Sequence, residues 1–166
     1  YDSNEEYLSV AKDRSLIFGA GNSRFVQGDF LEAIDLTEKQ LSLDFNNVRK
    51  ADSYNDFADV IIANPPYVRT QILGAEKSQK IAKKFNLKGR VDLYHPFLVA
   101  MTESLKEGGI LGAITSNRYL STKGGESIRK YLVENYEIIE LIDLGDTKLF
   151  EAAVLPAIFI GRKRKN

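Results

Sequence analysis

An apolar run that ends in two consecutive prolines constrains this chain more than any other feature. Residues 60–63, Val-Ile-Ile-Ala, are apolar and mostly β-branched, which predicts a buried strand over 58–63. Asn64-Pro65-Pro66-Tyr67 follows, and proline fixes φ and restricts the residue before it, so a rigid turn is expected. The Asn64 amide oxygen and the Pro65 carbonyl can then accept hydrogen bonds from one amino group, with the Tyr67 ring beside it. The turn predicts a site for a planar group carrying an exocyclic NH₂, although Asn-Pro also opens turns that have no further role.

Predicted strands and helices alternate along the rest of the chain, which predicts an α/β fold with a largely parallel sheet covered on both faces. The last two strands are close enough in sequence to pair antiparallel. Ligands of such sheets bind beyond the carboxyl ends of the strands. The predicted strands are 24–27, 58–63, 110–115, 137–143 and 154–162, and the predicted helices cover 5–12 after an Asn4 cap, about 93–105 before Gly108-Gly109, and the region of Ile128, Tyr131 and Leu132.

Composition bounds the class of protein. The 166 residues, 43% of them hydrophobic, are enough for one domain with a sizeable core, here the whole of 1–166. The absence of cysteine excludes disulfides and thiolate metal sites and agrees with a reducing cytoplasm. No apolar run reaches transmembrane length, so no membrane partner is expected. The formal net charge is zero and gives no support of its own to nucleic-acid binding.

Several further segments occur in a characteristic order: Gln27-Gly28-Asp29-Phe30, 59–69, Asp92-Leu93-Tyr94, Gly108-Gly109-Ile110, 115–119 and Leu149-Phe150. With these segments the chain resembles the S-adenosylmethionine-dependent amino-methyltransferases, most closely the adenine-specific (N6) DNA methyltransferases of bacterial restriction–modification systems. The resemblance implies a Rossmann-like methyltransferase fold with a mostly parallel sheet that ends in an antiparallel hairpin. It also implies methyl transfer from S-adenosylmethionine to the exocyclic amine of a flipped-out adenine in double-stranded DNA. The expected setting is the bacterial cytoplasm, with a target-recognition domain or an endonuclease, fused or separate, as a further partner.

The resemblance implies roles for four residues near the cofactor. Asp29 would accept a hydrogen bond from the adenine amino group of S-adenosylmethionine, and Phe30 would pack near that ring. Asp2 would hold the ribose hydroxyls, since a carboxylate can accept two hydrogen bonds from a diol. Asn64 would face the cofactor as well as the target amine. For Asp29 an Asx turn that closes a strand is the alternative, and for Asp2 a terminal position with no role is nearly as well supported.

The DNA-facing residues follow in the same way. Tyr67 would stack on the flipped base and Phe150 would be the second aromatic against it, although Phe150 is equally compatible with an ordinary hairpin position. Arg69 opens a basic segment that would contact phosphates, unless it is a solvated helix face. The lone His95 is interpreted as structural. Against Glu76 alone, the basic residues of this segment are Arg69, Lys77, Lys80, Lys83, Lys84, Lys88 and Arg90.

One element of the family pattern is missing: the glycine-rich cofactor loop that precedes the Asp2 position. Gly19-Ala20-Gly21 is interpreted as a turn and not as a displaced loop. We therefore expect a partial catalytic domain without its first strands, with a gap between the Asp29 strand and the strand over 58–63. We also expect it to be inactive alone. Two alternatives stay open: a protein-glutamine or RNA methyltransferase of the same fold, and an inactive fragment that only binds or only folds.

Overall fold

The computed structural model describes residues 2–19, 22–34, 36, 55–67, 74–88, 91–147 and 155–165. Helices and strands alternate over much of these ranges, as the sequence predicts. In chain order they are α1 (Glu5–Ile17), α2 (Phe30–Ala33), β1 (Ala58–Ala63), α3 (Ala75–Lys84), α4 (Tyr94–Ser104), β2 (Leu105–Ser116), α5 (Arg118–Ser121), a 3₁₀ turn (Lys123–Gly125), α6 (Glu126–Asn135), β3 (Tyr136–Asp143) and β4 (Pro156–Lys163).

The strands form one sheet in the order β1-β2-β4-β3. β1 pairs with β2 in parallel, and β4 pairs antiparallel with both β2 and β3. Strands β1, β2 and β3 therefore run in the same direction, and the sheet ends in the predicted antiparallel hairpin. The carboxyl ends of these three strands consequently lie at the same edge, which we call the carboxyl edge. Because β4 lies between β2 and β3, one of the three described pairings is parallel and two are antiparallel. The prediction of a sheet covered on both faces is wrong for the described residues, since Ile62 of β1 and Ile139 of β3 are exposed.

The predicted strand over 24–27 is wrong in extent. The structure has an isolated parallel bridge between Asp2 and Gln27, in which Asp2 N donates to Val26 O at 3.2 Å and Gly28 N donates to Asp2 O at 3.0 Å. The bridge does not extend into a strand beyond Asp2. The carboxylate of Asp2 accepts a hydrogen bond from Asn4 N at 2.8 Å, and the chain then enters α1. In the described part of the chain β1 forms no ladder with residues 24–27, and the predicted gap between them stays a prediction.

The boundary between α4 and β2 also differs from the prediction. Gly108-Gly109 was expected to end the helix, yet α4 ends at Ser104 and β2 begins at Leu105. Ala58 pairs with Leu105 and Val60 with Ile110. The register therefore shifts here, because β2 runs five residues between these pairs and β1 only two. Gly108, with a φ of 78°, lies inside this irregular stretch. Glycine is needed there for a bulge-like start of the strand, since few other residues adopt that conformation without strain.

The main core lies between α4 and the sheet. Almost all of α4 is buried, including Leu98 and Met101, and Leu111 and Phe159 supply buried side chains from β2 and β4. Two polar side chains in this layer are hydrogen-bonded to each other: Tyr136 Oη lies 2.9 Å from Thr102 Oγ1. Among the described residues no helix is long and apolar enough to cross a membrane.

His95 is buried near the start of α4, only 1% exposed, and packs edge-on against Tyr94 with the ring centroids 4.5 Å apart. Neither ring nitrogen has a hydrogen-bond partner among the described residues. Burial lowers the pKa of His95 from its ordinary 6.5 to about 4, because the charged imidazolium would have to leave water.

This burial predicts a pH dependence of stability. Between pH 6.5 and 4 the unfolded state binds a proton that folded His95 does not, so the free energy of unfolding falls as the pH falls. The loss between pH 7 and pH 4 is expected to be about 3 kcal/mol. Urea unfolding of the full-length protein and its His95→Phe variant, at several pH values, measures it. The difference between the two proteins isolates His95 from the carboxyl groups, and parallel stability curves would contradict the prediction.

Candidate active site at the carboxyl edge of the sheet

Polar residues end the three strands that run in the same direction. Asn64 follows β1, Asn117 follows β2, and Asp143 is the last residue of β3. Since these strand ends share one edge, a group bound there can meet side chains from all three. This edge is where the sequence predicts the ligand site.

The turn after β1 has the exposure that a binding site needs. Asn64 and Pro66 are exposed, Pro65 is buried and Tyr67 is half-buried. The Tyr67 hydroxyl lies 2.5 Å from Asn64 Oδ1 and 3.2 Å from the carbonyl oxygen of Ile114 in β2. Burial raises the pKa of Tyr67, so the hydroxyl keeps its proton and can donate it. The structure thus brings Asn64 and Tyr67 together and ties their turn to β2.

In this geometry the amide oxygen of Asn64 can accept a further hydrogen bond. An amide oxygen has two lone pairs, so Oδ1 can accept from Tyr67 and from the amine of a ligand together. The donor hydroxyl also favours the orientation of the amide in which the oxygen lies on the Tyr67 side. An exposed acceptor beside a half-buried aromatic ring suits a planar base that carries an NH₂ group.

Three of the four residues predicted near the cofactor, Asp2, Asp29 and Phe30, lie at or directly after the Asp2–Gln27 bridge, whereas Asn64 follows β1. Asp2 Oδ1 accepts from Asn4 N, and Asp29 Oδ1 accepts from Leu31 N at 2.9 Å as the N-cap of α2. The Asx-turn alternative for Asp29 therefore describes its local bond correctly. A carboxylate has a second oxygen, so a local bond and a ligand bond are compatible. Phe30 stacks on Phe97 of α4, with centroids 6.1 Å apart.

The described part of the basic segment is largely the helix α3. Lys80 pairs with Glu76 at 2.7 Å, with both side chains exposed. Lys84 donates to the carbonyl of Leu31, which ties the end of α3 to α2 next to Asp29. Lys77, Lys83 and Lys88 are exposed. Arg69, Arg90 and Phe150 lie outside the described residues.

Two residues of the carboxyl edge were not predicted from the sequence as site residues. Asn117 Nδ2 donates to Asp143 Oδ1 at 3.0 Å, and Gly145 N donates to the same oxygen at 3.0 Å. These two bonds, with that from Asn117 the larger effect, lower the pKa of the exposed Asp143. The signal was present: Asp143 ends a predicted strand, and Asn117 follows another predicted strand by two residues, much as Asn64 follows the strand over 58–63.

A metal centre has no support in the described ranges. Over the parts of the chain that the structure describes, no group of three or more His, Cys, Asp or Glu side chains could hold a metal ion.

Comparisons with known proteins identify the family. Residues 2–150 match the Eco57I restriction-modification methylase model. The chain is 56% identical over 165 residues to the Type II methyltransferase M.BanIII of Aneurinibacillus aneurinilyticus; the match covers 99% of this chain and 28% of that protein. It therefore spans little more than a quarter of this relative.

Solved structures show the same fold. A type I restriction-modification methyltransferase subunit from Streptococcus thermophilus matches with a TM-score of 0.64 at 19% identity, over 98% of this chain and 33% of that one. A protein from Listeria monocytogenes described as a class I S-adenosylmethionine-dependent methyltransferase matches with a TM-score of 0.53 at 24% identity, over 66% of this chain and 33% of that one. The fold is thus the Rossmann-like fold of these methyltransferases, and the chain belongs to the Eco57I restriction-modification methylase family.

Proposed function

We propose that the protein is an adenine-specific DNA methyltransferase, which transfers a methyl group from S-adenosylmethionine to the exocyclic amine of adenine. The observation that carries the proposal is the turn after β1, where exposed Asn64 presents an amide oxygen 2.5 Å from the hydroxyl of Tyr67. Family membership and the relatives named Type II methyltransferase support DNA as the substrate class. The choice of adenine is our own step. The turn would accept any exocyclic amine, so adenine rests on the resemblance of the ordered segments to the adenine-specific DNA methyltransferases.

The residues near the Asp2–Gln27 bridge fit S-adenosylmethionine by their chemistry. Asp2 pairs through its backbone with Gln27, two residues before Asp29, and the two residues supply carboxylate acceptors suited to a ribose diol and an adenine amino group; Phe30 supplies an apolar ring. Asn64 lies after β1 at the carboxyl edge and would face the methyl group. When bound, the cofactor supplies an electrophilic methyl group on a sulfonium.

Asn64 and Pro65 would activate the target amine. The lone pair of an adenine amino group is delocalised into the ring, so the amine is a poor nucleophile. Acceptors at the Asn64 oxygen and the Pro65 carbonyl favour a pyramidal nitrogen and stabilise the positive charge that develops on it. Direct attack then needs no covalent enzyme intermediate, which agrees with a chain that has no cysteine.

DNA must present the amine outside the duplex. A base inside the stack cannot reach the turn, so the target adenine is flipped and stacked on Tyr67, with Phe150 as the second aromatic. Arg69 and the exposed lysines of α3 would contact phosphates, and these contacts would weaken with salt. The protein would act with a target-recognition domain or an endonuclease, fused or separate, in the bacterial cytoplasm.

The test is identification of the methylated product. Full-length protein is incubated with methyl-labelled S-adenosylmethionine and a duplex library, and the DNA is then digested to nucleosides and chromatographed. We expect the label in N6-methyladenine. Label in a methylated cytosine would contradict adenine specificity. Label in RNA or in protein glutamine, with none in DNA, would favour the alternatives of the same fold.

A further inference from the structure

We propose that Asn117 is a positioning residue for the target-base pocket, acting through its hydrogen bond to Asp143. This inference rests on the proposed function, because it assigns a task at the same site. Neither residue belongs to the turn after β1. Their contribution is to hold the opposite side of the carboxyl edge in place.

Asn117 binds both ends of the connection between β3 and β4. Its side-chain Nδ2 donates to Asp143 Oδ1 at 3.0 Å, where β3 ends. Its backbone N donates to the carbonyl oxygen of Leu155 at 2.8 Å, directly before β4 begins. Asn117 thus binds Asp143, before the connection, and Leu155, at its other end, and holds both beside the end of β2.

The start of this connection, directly after β3, is fixed by further local hydrogen bonds. Gly145 N donates to Asp143 Oδ1 at 3.0 Å, and Leu144 N donates to Pro156 O at 3.0 Å. The carboxylate of Asp143 therefore accepts from the side chain of Asn117 and from its own turn through the same oxygen. Removing this carboxylate would release the turn and its link to β2 together.

The same stretch of β2 also contacts the proposed catalytic turn. The carbonyl of Ile114 lies 3.2 Å from the Tyr67 hydroxyl, three residues before Asn117. Residues 114–117 consequently touch the turn after β1 at one end and the β3–β4 connection at the other. The spacing between these two sides of the carboxyl edge is set by β2 and by the bonds of Asn117.

Asn117 itself is held by the helix that follows it. Leu120 N donates to Asn117 O at 2.9 Å, and the guanidinium of Arg129 in α6 donates to the carbonyls of Tyr119 and Thr122. These contacts anchor α5 to α6. The side chain of Asn117 therefore projects from a supported backbone, as a positioning group requires.

An asparagine is specifically suited to this task. Its amide donates to a carboxylate, which makes a stronger bond than one between neutral groups. Because Asp143 is exposed, the bond is expected to add little to global stability. A positioning role therefore predicts losses in substrate binding that exceed any loss in folding.

The experiment measures steady-state kinetics of the full-length protein with Asn117→Ala, Asp143→Ala, Asp143→Asn and the double variant Asn117→Asp/Asp143→Asn. We expect Asn117→Ala and Asp143→Ala to raise KM for DNA about tenfold, the scale of one hydrogen bond to a charged group, and to leave KM for S-adenosylmethionine unchanged. Asp143→Asn keeps an acceptor oxygen but loses its charge, so it should raise KM for DNA less than Asp143→Ala does. Asn117→Asp is measured alone as well. The double variant reverses donor and acceptor of the bond between the two side chains but loses the acceptor for Gly145 N, so it should recover part of the loss that Asn117→Asp alone causes.

A second readout follows the target base directly. Duplex DNA with 2-aminopurine in place of the target adenine should show a smaller fluorescence increase on binding Asn117→Ala than on binding the wild type. Asn135→Ala is the matched control: Asn135 is also half-buried and makes one side-chain hydrogen bond, to Tyr131 O at 2.8 Å, before β3 at the opposite edge. It should change neither KM nor fluorescence.

The outcomes separate this inference from the proposed function. An unchanged KM for DNA in Asn117→Ala, no recovery in the double variant, or equal losses in Asn135→Ala would overturn the positioning role. A wild-type enzyme that methylates another acceptor would instead overturn the adenine assignment. The KM for that acceptor, measured on the same variants, would then still decide the role of Asn117.

Discussion

Asn64→Ala is expected to lower the turnover of the full-length protein on adenine-containing duplex by about a hundredfold or more. The substitution removes an acceptor whose bond to the amine strengthens as positive charge develops, so the loss falls mainly on kcat. Cofactor affinity should change far less, since Asp2 and Asp29 supply the proposed cofactor contacts away from this turn. Single-turnover rates and calorimetry with S-adenosylmethionine measure the two effects separately.

Substitutions in the same turn serve as controls. Asn64→Asp keeps an oxygen at the position and should retain more activity than Asn64→Ala. Tyr67→Ala should instead weaken binding of the flipped base, by about 1–3 kcal/mol if stacking dominates. Tyr67→Phe keeps the ring and loses only the hydroxyl that contacts Asn64 and Ile114. Normal turnover in Asn64→Ala would remove the central claim of the proposed mechanism.

The sequence predicts the extent of β1 correctly because the information there is local. The predicted burial of β1 is wrong: Val60 is 59% and Ile62 87% exposed, because β1 is the edge strand of the described sheet and no described element covers these side chains. Continuous β-branched residues indicate a buried strand, and two prolines fix the backbone after it. The bond between Tyr67 and Ile114 was not predictable in this way. It joins residues 47 positions apart, and it depends on the parallel pairing of β1 with β2.

Failures of the sequence-based prediction occurred where tertiary pairing overrode local signals. Gly108-Gly109 has the composition of a helix end, but in the structure it forms part of an irregular strand start opposite Ala58 and Val60. The segment over 24–27 is predicted as a strand, and the bridge to Asp2 is limited by the turn that Asn4 begins. In both cases the segment on the other side of the pairing, and not the segment itself, determined the outcome.

The pairing of Asn117 with Asp143 shows a third kind of limit. The predicted strands and their directions place both residues at one edge, yet no rule of spacing says that they touch. Their contact depends on the strand order, in which β4 lies between β2 and β3. Leu155, directly before β4, accepts a hydrogen bond from the backbone N of Asn117. A site residue of this kind is found from topology once the strand order is known.

Gly125→Ala is expected to lower the free energy of unfolding by at least about 2 kcal/mol, the range of overpacking in a tight interior. A Cβ at this position would lie 2.2 Å from the carbonyl oxygen of Tyr119 and 2.5 Å from its Cα. Backbone atoms cannot rotate away, so α5 or the 3₁₀ turn must shift. The φ of Gly125 is −86°, which any residue adopts, so the cost comes from the contact alone.

Gly112→Ala in β2 is the matched control, because a Cβ there meets nothing within 4 Å. Urea unfolding of the full-length variants should show the loss for Gly125→Ala and little change for Gly112→Ala. The added Cβ would press on the same Tyr119 carbonyl that Arg129 binds, and this carbonyl belongs to the segment that follows Asn117. Gly125→Ala is therefore expected to raise KM for DNA as well, whereas equal stabilities of the two variants would show that α5 yields without cost.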